Sequence, residues 1–330
     1  MLSSRVAARL EVGGEPLRSQ IVGPDAAELP DTLIVLASTP SSAGPAWLID
    51  RAPVGREVPR LAALLGHLAR LQRIAGDLSP WWTLVCLRDG WREEGSAERE
   101  DSRQELRWNQ PDAVLCFGRR LDDASAVLVA EPHFFIYGKY RRLRTKVRLS
   151  GLPWAWRRRS AIYAGGDHGR TIVLPGGGSG TPRRLLAQVV AEQGLPVKVA
   201  LGERISVPEQ LLHRVLLDVD GHVRTWEAWA WKMLSGSVVV SQSSPWQTRF
   251  TAEFEPGVHY LPSREDFQDL EAVLRWCRGH WSEAREIALR ARRRAGEVYS
   301  AGWIENADEW RRISVALQPL PRPLAGKRLS

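Results

Sequence analysis

Apolar and polar residues follow one another in short blocks along the chain, and the block lengths predict alternating strands and helices. Four apolar runs of strand length occupy the first half, at residues 31–38, 82–87, 112–118 and 125–132. Between the first two runs, apolar residues recur every three or four positions from Val58 to Ala75. This spacing predicts an amphipathic helix, and Gly76 marks its end.

The second half repeats the alternation with clearer start and stop signals. Four further strands are predicted by the apolar runs at residues 160–166, 196–202, 215–219 and 236–240. The helix between the first two has Thr181 as its N-cap, Pro182 in its first turn and Gly194 after its end. Strands that alternate with helices in both halves predict an α/β protein with two facing Rossmann-like domains.

A change of composition near the middle of the chain predicts where one domain ends. Residues 139–148 and 153–159 are rich in basic side chains and separate two blocks of strands. We therefore expect a first domain over residues 1–157 and a second over 158–300. Residues 301–330 are expected to form a carboxyl-terminal helix and tail that packs back on the first domain.

The composition is that of an ordinary globular protein, with 44% hydrophobic and 25% charged residues. No apolar run reaches the roughly 18 to 20 residues that cross a bilayer, and the amino terminus has no apolar core of secretory length. Cys86, Cys116 and Cys277 are odd in number and lack metal-ligand spacing, which predicts buried, reduced thiols. These features predict a cytoplasmic protein.

A net charge of +8 favours an anionic partner, which leaves nucleic acid, phospholipid headgroups and phosphorylated small molecules open. The basic residues are scattered over several elements, and no nucleic-acid recognition module is present, so nucleic-acid binding ranks lowest. The basic runs at 139–148 and 157–159 leave open a peripheral contact with the anionic inner face of a membrane. Their alternative interpretation is a solvated helix face.

Residues 215–246 predict one strand, a tight turn, a helix and a second strand. In parallel α/β sheets ligands bind beyond the carboxyl ends of the strands, so Asp220 and Gly221 occupy a binding position. Asp218 and Asp220 point the same way from a strand and could share a metal ion. Two carboxylates without further clustered acids make a poor metal site, so we expect none.

Five sequence blocks in this part of the chain resemble a known family. They are LLDVDG at 216–221, MLSGSVVV at 233–240, SSPW at 243–246, PGVHYLP at 256–262 and DFQDLEAVLRW at 266–276. Together and in this order, they resemble the carboxyl-terminal half of glycosyltransferase family 90. That family includes Rumi-type protein O-glucosyltransferases, capsule-associated proteins and bacterial lipopolysaccharide-modifying proteins.

The resemblance implies an inverting glycosyltransferase of the GT-B type that uses a UDP-sugar and no metal or other cofactor. WWTLVCLRDG at 81–90 looks like the family's strand that ends in an Arg-Asp pair, whose aspartate is the proposed catalytic base. Asp89 is therefore the expected base. From the sequence alone, an Asp-Gly pair after a strand is more often a turn.

The same resemblance places the donor site in the second domain. SAIYAGG at 160–166 corresponds to the family's Arg-Gly-Ser block, but Ala164 stands in place of the arginine and Gly166 in place of the serine. Gly165 carries over directly, and glycine backbone at this point can approach phosphate oxygens. The following GGGSG at 176–180 has a flexible surface loop as its alternative interpretation.

Other donor-binding residues follow by position. One of Arg183 and Arg184 corresponds to the family's next arginine, and Arg224 or Lys232 substitutes for a further arginine that is missing. Ser237 is expected to support the pocket by hydrogen bonding.

The expected reaction transfers a hexose or pentose, glucose or xylose in particular, from UDP to an acceptor hydroxyl. The expected acceptor is lipopolysaccharide or another surface glycan, with a protein or a lipid-linked glycan also open. Two alternatives remain at this point: a catalytically inactive family member that acts as a binding or scaffold module, and a basic nucleic-acid-binding protein.

Overall fold

The computed structural model describes residues 6–7, 11–12, 15–16, 33–39, 45–50, 52–90, 114–123 and 125–320. Residues 91–110, which are polar and charged and predict an exposed loop or helix, lie outside these residues, as does most of the predicted tail. The strands of the described chain are β1 (Val6–Ala7), β2 (Glu11–Val12), β3 (Glu15–Pro16), β4 (Leu33–Thr39), β5 (Ala46–Ile49), β6 (Trp81–Cys86), β7 (Val114–Cys116), β8 (Gly118–Arg120), β9 (Ala126–Leu128), β10 (Arg158–Gly165), β11 (Ile172–Val173), β12 (Ser179–Gly180), β13 (Val197–Leu201), β14 (His213–Asp218), β15 (Val238–Gln242), β16 (Trp246–Thr248), β17 (Leu261–Ser263) and β18 (Gln318–Pro319).

The helices lie between these strands and after them. They are α1 (Glu57–Ala75), α2 (Pro132–Ile136), α3 (Arg141–Ser150), α4 (Pro182–Glu192), α5 (Val207–Gln210), α6 (Glu227–Leu234), α7 (Leu270–Gly279), α8 (Trp281–Val298), α9 (Ala301–Ile304) and α10 (Ala307–Ser314). The helix predicted over 58–75 is confirmed, and Gly76 ends it in the left-handed region at φ 68°.

The described residues divide into two compact units. Unit 1 contains those up to Ile136 and those from Ile304 onward, and unit 2 contains Tyr137–Trp303. The sequence predicts the first boundary later, at 157/158. The difference arises because α3 is amphipathic and buries Leu143 and Val147, and it packs against α6 of unit 2.

Unit 1 is built on a mixed sheet in the order β1-β5-β4-β6-β7-β9, with β18 also paired to β6. Strand β4 runs antiparallel to both of its neighbours, whereas β6, β7 and β9 run parallel to one another. The sheet therefore differs from the all-parallel arrangement that the alternating pattern predicts. Apolar residues of one face form its core, including Leu33, Val35, Leu84 and Leu128.

The end of the described chain belongs to unit 1. Strand β18 pairs antiparallel with β6, placing Gln318 opposite Trp82. Helix α10 packs on α1, and the indole Nε1 of Trp310 donates to Asp77 Oδ2 at 3.0 Å. These contacts hold the last described segment against β6 and the long helix.

Unit 2 is built on a parallel sheet of five strands in the order β13-β10-β14-β15-β17. In chain order the first three strands of this sheet are β10, β13 and β14. Strand β13 lies on one side of β10 and β14 on the other, so the direction of winding reverses beside β10. The buried faces of α4, α7 and α8 pack on this sheet, as the periodicity of Leu185, Leu186, Val189 and Val190 predicts for α4. The mixed α/β class is confirmed.

The three cysteines are buried free thiols. Burial raises the pKa of the Cys116 thiol well above its ordinary value, which keeps it protonated. Among the helices of the described ranges, none has both the length and the apolar character needed to cross a membrane.

Candidate functional site

The candidate site lies in unit 2, where β10 and β14 run side by side and the order of strands reverses. Their carboxyl ends are Gly165 and Asp218, and in sheets of this order ligands bind in the crevice beyond that point. Two loops form the crevice wall: residues 166–170 after β10 and residues 219–223 after β14. We call them the β10 loop and the β14 loop.

The two loops are in direct backbone contact. The amide of Arg170 donates to the carbonyl oxygen of Gly221 at 3.0 Å. A Cβ atom added to Gly169 would lie 2.8 Å from that same oxygen, so no larger residue fits at position 169 without moving the loop. The glycine pair Gly169 and Gly221 therefore allows the close approach that joins the loops.

Arg183, in the first turn of α4, ties both loops to that helix. Its side chain is 8% exposed. Nη1 donates to the carbonyl oxygen of Gly166 at 2.8 Å, and Nε donates to that of Asp220 at 3.2 Å. Within the described residues its Nη2 makes no hydrogen bond. The arginine thus adds a buried positive charge beside glycine backbone and the amino terminus of an eleven-residue helix, an arrangement that suits an anion.

Arg184 occupies a different environment. Its side chain is 58% exposed and pairs with Asp167 at 2.5 Å, on the outside of the loop. Its backbone amide donates to the Thr181 hydroxyl at 3.2 Å, which confirms Thr181 as the N-cap. Of the two arginines left open by the sequence, Arg183 is the one that bonds to both loops. We call Arg183, the glycine backbone at 165–166 and the start of α4 the cradle.

Asp218, the last residue of β14, is fully buried and paired. Its Oδ1 accepts from Lys232 Nζ and from the Thr225 hydroxyl, both at 2.8 Å. Burial alone would raise the pKa of this carboxyl, but the charges of Lys232 and Arg224 outweigh burial, and its pKa lies below the ordinary value. The predicted donor residue Lys232 therefore serves as an internal counter-ion.

The pKa of Asp220 is shifted in the opposite direction, although Asp220 lies only two residues after Asp218. Its Oδ2 accepts from the Ser244 hydroxyl at 2.5 Å, and its Oδ1 lies 3.7 Å from Arg224 Nη1 without a hydrogen bond. Burial raises the pKa of this carboxyl, and Arg224 and Ser244 offset only part of the increase. The buried Oδ1 is left as an acceptor site without a donor among the described residues.

Arg224 is buried between the β14 loop and the end of β15. Its Nη1 donates to Ser241 Oγ at 3.0 Å and to the carbonyl oxygen of Gln242 at 2.9 Å, and its guanidinium lies 4.6 Å from the ring centroid of Trp229. A cation–π contact in a buried position stabilises the charge and fixes the plane of the guanidinium. Arg224 therefore shapes the β14 loop from within.

Several residues of this site are not predicted as functional from the sequence. Gln242 Oε1 accepts from the backbone amide of Asp220 at 3.2 Å, and Gln242 Nε2 donates to the carbonyl oxygen of Glu265 at 2.8 Å. Ser244, on the other side of Asp220, belongs to the SSPW block. That block was the available signal for Ser244, whereas Gln242 reads as an ordinary strand residue.

Ser237 lies at the end of the sheet opposite the crevice, where the strands begin. Its hydroxyl donates to the carbonyl oxygen of His213, the first residue of β14, at 2.7 Å, and accepts from Arg157 Nη1 at 2.6 Å. Because β15 begins one residue after Ser237, this serine stands at the amino ends of the parallel strands. The structure thus does not bring Ser237 to the carboxyl-end crevice.

Asp89 belongs to unit 1, three residues after the end of β6. Its side chain is 32% exposed, and its Oδ1 accepts from Arg60 Nη2 at 2.5 Å. Arg60, on α1, also donates from Nη1 to the carbonyl oxygen of Leu87 at 2.7 Å, which fixes the strand end that carries Asp89. Arg60 therefore holds the Asp89 carboxylate and the strand end together, a contact that no sequence motif predicts. The charge of Arg60 also acts on His133 of α2. Burial lowers the pKa of His133, and the positive charge of Arg60 lowers it further.

Among the residues that the structure describes, no three histidine, cysteine or acidic side chains form a group that could hold a metal ion. In the Asp218–Asp220 pair, one carboxylate oxygen of Asp218 accepts hydrogen bonds from Lys232 and Thr225.

Comparison with known proteins assigns this part of the chain. Residues 145–298 match the model of Glycosyl transferase family 90. This segment is similar to that family. The match falls within unit 2, so the resemblance of the five blocks is confirmed and the candidate site lies inside the family region.

Two protein O-glucosyltransferases and one viral protein are each similar to this chain over fewer than 100 residues. Protein O-glucosyltransferase 2 of Danio rerio is 32% identical over 89 residues, which cover 27% of this chain and 18% of the relative. Protein O-glucosyltransferase 3 of Homo sapiens is 32% identical over 76 residues, 23% of this chain and 15% of the relative. Uncharacterized protein 035R of Invertebrate iridescent virus 3 is 28% identical over 90 residues, covering 27% and 8%. The chain thus matches less than a fifth of the length of each.

Proposed function

We propose that this protein is an inverting glycosyltransferase that moves a hexose or pentose from a UDP-sugar to an acceptor hydroxyl. The observation that carries the proposal is the cradle in unit 2, where Arg183, the glycine backbone at 165–166 and the start of α4 meet at the switch point of a parallel sheet. The family match over the same unit supports transfer of a sugar.

In this proposal the cradle holds the diphosphate of the donor. Arg183 offers its remaining Nη2 donors to a phosphate oxygen, and the α4 amino terminus adds favourable backbone dipoles. Asp220 and Gly221 are buried and form the loop behind the crevice, and Arg224 stabilises that loop. Positive charge and backbone amides stabilise the UDP leaving group as negative charge develops on it, so the reaction needs no metal ion.

Asp89 acts as the general base. The acceptor hydroxyl attacks the anomeric carbon while its proton passes to the Asp89 carboxylate, and the bond from that carbon to the UDP oxygen breaks with its electron pair leaving on UDP. Such a single displacement inverts the anomeric configuration. Arg60 holds the carboxylate in place through the 2.5 Å contact. Unit 1 presents the acceptor in this scheme.

The finer identities are further parts of the proposal. Glucose and xylose are the proposed sugars, and lipopolysaccharide or another surface glycan is the proposed acceptor. The proposed location is the cytoplasm, with peripheral contact at the inner face of the membrane. The O-glucosyltransferase names of two relatives support glucose as the first donor to test.

The decisive experiment measures UDP release from UDP-glucose and UDP-xylose with a glycan acceptor, with and without EDTA. We expect wild-type turnover that EDTA leaves unchanged. In Asp89→Asn we expect a loss of about 10²- to 10⁴-fold, the usual contribution of a general base. Asp122→Asn is the matched control, because Asp122 is another aspartate of unit 1 in an ion pair with an arginine.

Three results would contradict parts of the proposal. EDTA-sensitive turnover would assign a metal to the reaction. Full activity of Asp89→Asn would remove Asp89 from the chemistry. Absence of turnover with every sugar nucleotide, together with retained UDP binding, would favour a binding module without catalysis. That second candidate has one specific observation behind it: Lys232 and Arg224, which could replace the missing arginine, are both bonded inside the unit.

A further inference from the structure

A second basic site lies in unit 2, in a groove between α3 and α8. The groove has a volume of about 410 Å³. Its lining residues are Arg141, Arg144, Thr145, Val147, Arg148, Leu234, Arg292 and Gly296. Among these residues four are arginines and none is acidic. Volumes of this size fit a small ligand rather than a single ion.

The groove lies near the amino ends of the sheet strands, whereas the donor cradle lies at their carboxyl ends. Leu234 ends α6, just before β15 begins, and the side chain of Arg292 passes within 3.6 Å of the Cβ position of Gly236. Because β14 runs from His213 to Asp218, five residue rises place its two ends about 17 Å apart. The groove and the Asp218–Asp220 crevice are therefore separate sites.

Within the part of the chain that the structure describes, no acidic side chain balances the positive charge of the groove. Arg148 and Arg292 are exposed and form no ion pair with any described residue, and the nearby Glu297 is paired with Arg294. Arg144 donates to the carbonyl oxygen of Tyr299 at 3.2 Å, a neutral partner that leaves its charge in place. Three arginines of α3 share one face at positions i, i+3 and i+7, so they line the same wall.

A buried neighbour responds to this charge. Arg157 donates to the carbonyl oxygens of Leu152 and Ser235 and to Ser237 Oγ. Burial, and then the charge of Arg292, lowers the pKa of Arg157 to about 10. The charge of Arg292 therefore acts on Arg157 as well as on the groove. A bound anion would offset that charge.

We propose that this groove is a binding site for a phosphate-bearing group, with Arg148 and Arg292 as its principal ligands. Guanidinium groups from two facing helices can each donate two hydrogen bonds to phosphate oxygens. Val147, Leu234 and Gly296 give the groove a less polar side, which would contact the carbon skeleton attached to the phosphate. The phosphate can belong to a soluble compound or to a lipid headgroup, and the two sources are separable by experiment.

The first test locates the site on the wild-type protein. Arginine modification by phenylglyoxal is followed by mass spectrometry with and without inorganic pyrophosphate. We expect pyrophosphate to protect Arg148 and Arg292 and to leave Arg142 and Arg293 unprotected, because the latter two lie on the same helices, are exposed and do not line the groove. The same comparison is made with phosphatidylcholine vesicles that contain phosphatidylglycerol. Equal modification of all four arginines with and without either probe would overturn the proposal.

The second test uses paired variants with the same change of net charge. Arg148→Gln/Arg292→Gln is compared with Arg142→Gln/Arg293→Gln in two assays. The first is pyrophosphate binding by calorimetry in the presence of saturating UDP, which occupies the donor cradle, and the second is cosedimentation with phosphatidylcholine vesicles containing phosphatidylglycerol. We expect the groove pair to weaken binding by about tenfold or more and the control pair by less than about twofold. UDP binding at the donor cradle should persist in both, so failure here is distinct from failure of the proposed transferase activity.

The pattern of losses identifies the source. A groove-dependent loss with pyrophosphate supports a soluble phosphate compound, and a groove-dependent loss confined to vesicles supports a lipid headgroup. Equal losses in the groove and control pairs would show a general effect of surface charge and overturn the site. Absence of binding by the wild-type protein to both probes would overturn it as well.

Discussion

The Nε atom of Arg183 donates to the carbonyl oxygen of Asp220 across 3.2 Å, although the two residues are 37 positions apart in the chain. The same guanidinium reaches the carbonyl oxygen of Gly166 at 2.8 Å. One side chain therefore fixes the first turn of α4, the β10 loop and the β14 loop relative to one another. Loss of this arginine should affect the crevice as a unit.

We expect Arg183→Met to weaken UDP binding by about tenfold or more, because it removes a charged donor and leaves two buried carbonyl groups without their partner. The matched control is Arg184→Met, whose arginine is adjacent, exposed and paired with Asp167. Isothermal titration with UDP measures both. Equal losses in the two variants would show that the buried arginine has no special part in the cradle.

Gly169→Ala tests the contact between the two loops. An added Cβ would meet the Gly221 carbonyl oxygen at 2.8 Å, so the β10 loop must shift and the Arg170–Gly221 hydrogen bond should weaken. We expect a reduced affinity for UDP with urea unfolding changed by only about 1–3 kcal/mol. In Gly176→Ala a Cβ meets nothing within 4 Å, so that variant controls for strain at a positive φ and should bind UDP normally.

The buried pair of Lys232 and Asp218 should contribute to stability rather than to donor affinity. Lys232→Met strands the Asp218 carboxylate in the core, and we expect a loss of about 3–5 kcal/mol in the free energy of unfolding in urea. Asp218→Asn strands the ammonium group in the same way. The double variant should lose much less than the sum of the two. Additive losses would mean that the 2.8 Å contact carries no coupling energy.

His67 on α1 gives unit 1 a defined dependence on pH. Burial lowers its pKa from 6.5 to about 4, and neither ring nitrogen has a hydrogen-bond partner in the described residues. The unfolded chain therefore binds a proton at a higher pH than the folded one does. The stability associated with neutral His67 is complete above pH 6.5 and is lost as the pH falls from 6.5 to about 4.

His67→Leu should remove that dependence. A difference of this size corresponds to about 3 kcal/mol, and an apolar residue costs little at neutral pH where the ring nitrogens are unpaired. Urea unfolding between pH 7 and pH 4 measures the slope for the wild type and the variant. An unaltered slope in His67→Leu would contradict the assignment.

Much of unit 2 follows from local signals in the sequence. The N-cap at Thr181 and the buried face of α4 are visible because capping and helical periodicity depend on neighbouring residues. The family blocks likewise place Asp220 and Gly221 at a strand end. By contrast, the mixed sheet of unit 1 depends on how β4 pairs with strands far away in the chain, and an apolar run has the same pattern in either direction.

The sequence by itself predicted the strands and helices of the α/β unit, the position of Asp220 and Gly221 after a strand, and the resemblance of residues 216–276 to glycosyltransferase family 90, which the match over residues 145–298 confirms. Only the tertiary structure decided which candidates share the cradle: Arg183 enters it, Arg184 stays outside, Lys232 becomes the partner of Asp218, and Ser237 falls at the opposite end of the sheet. The physical reason is that burial and ion pairing join residues far apart in the chain. Local spacing specifies an element, whereas packing between elements selects the partner of each charged side chain.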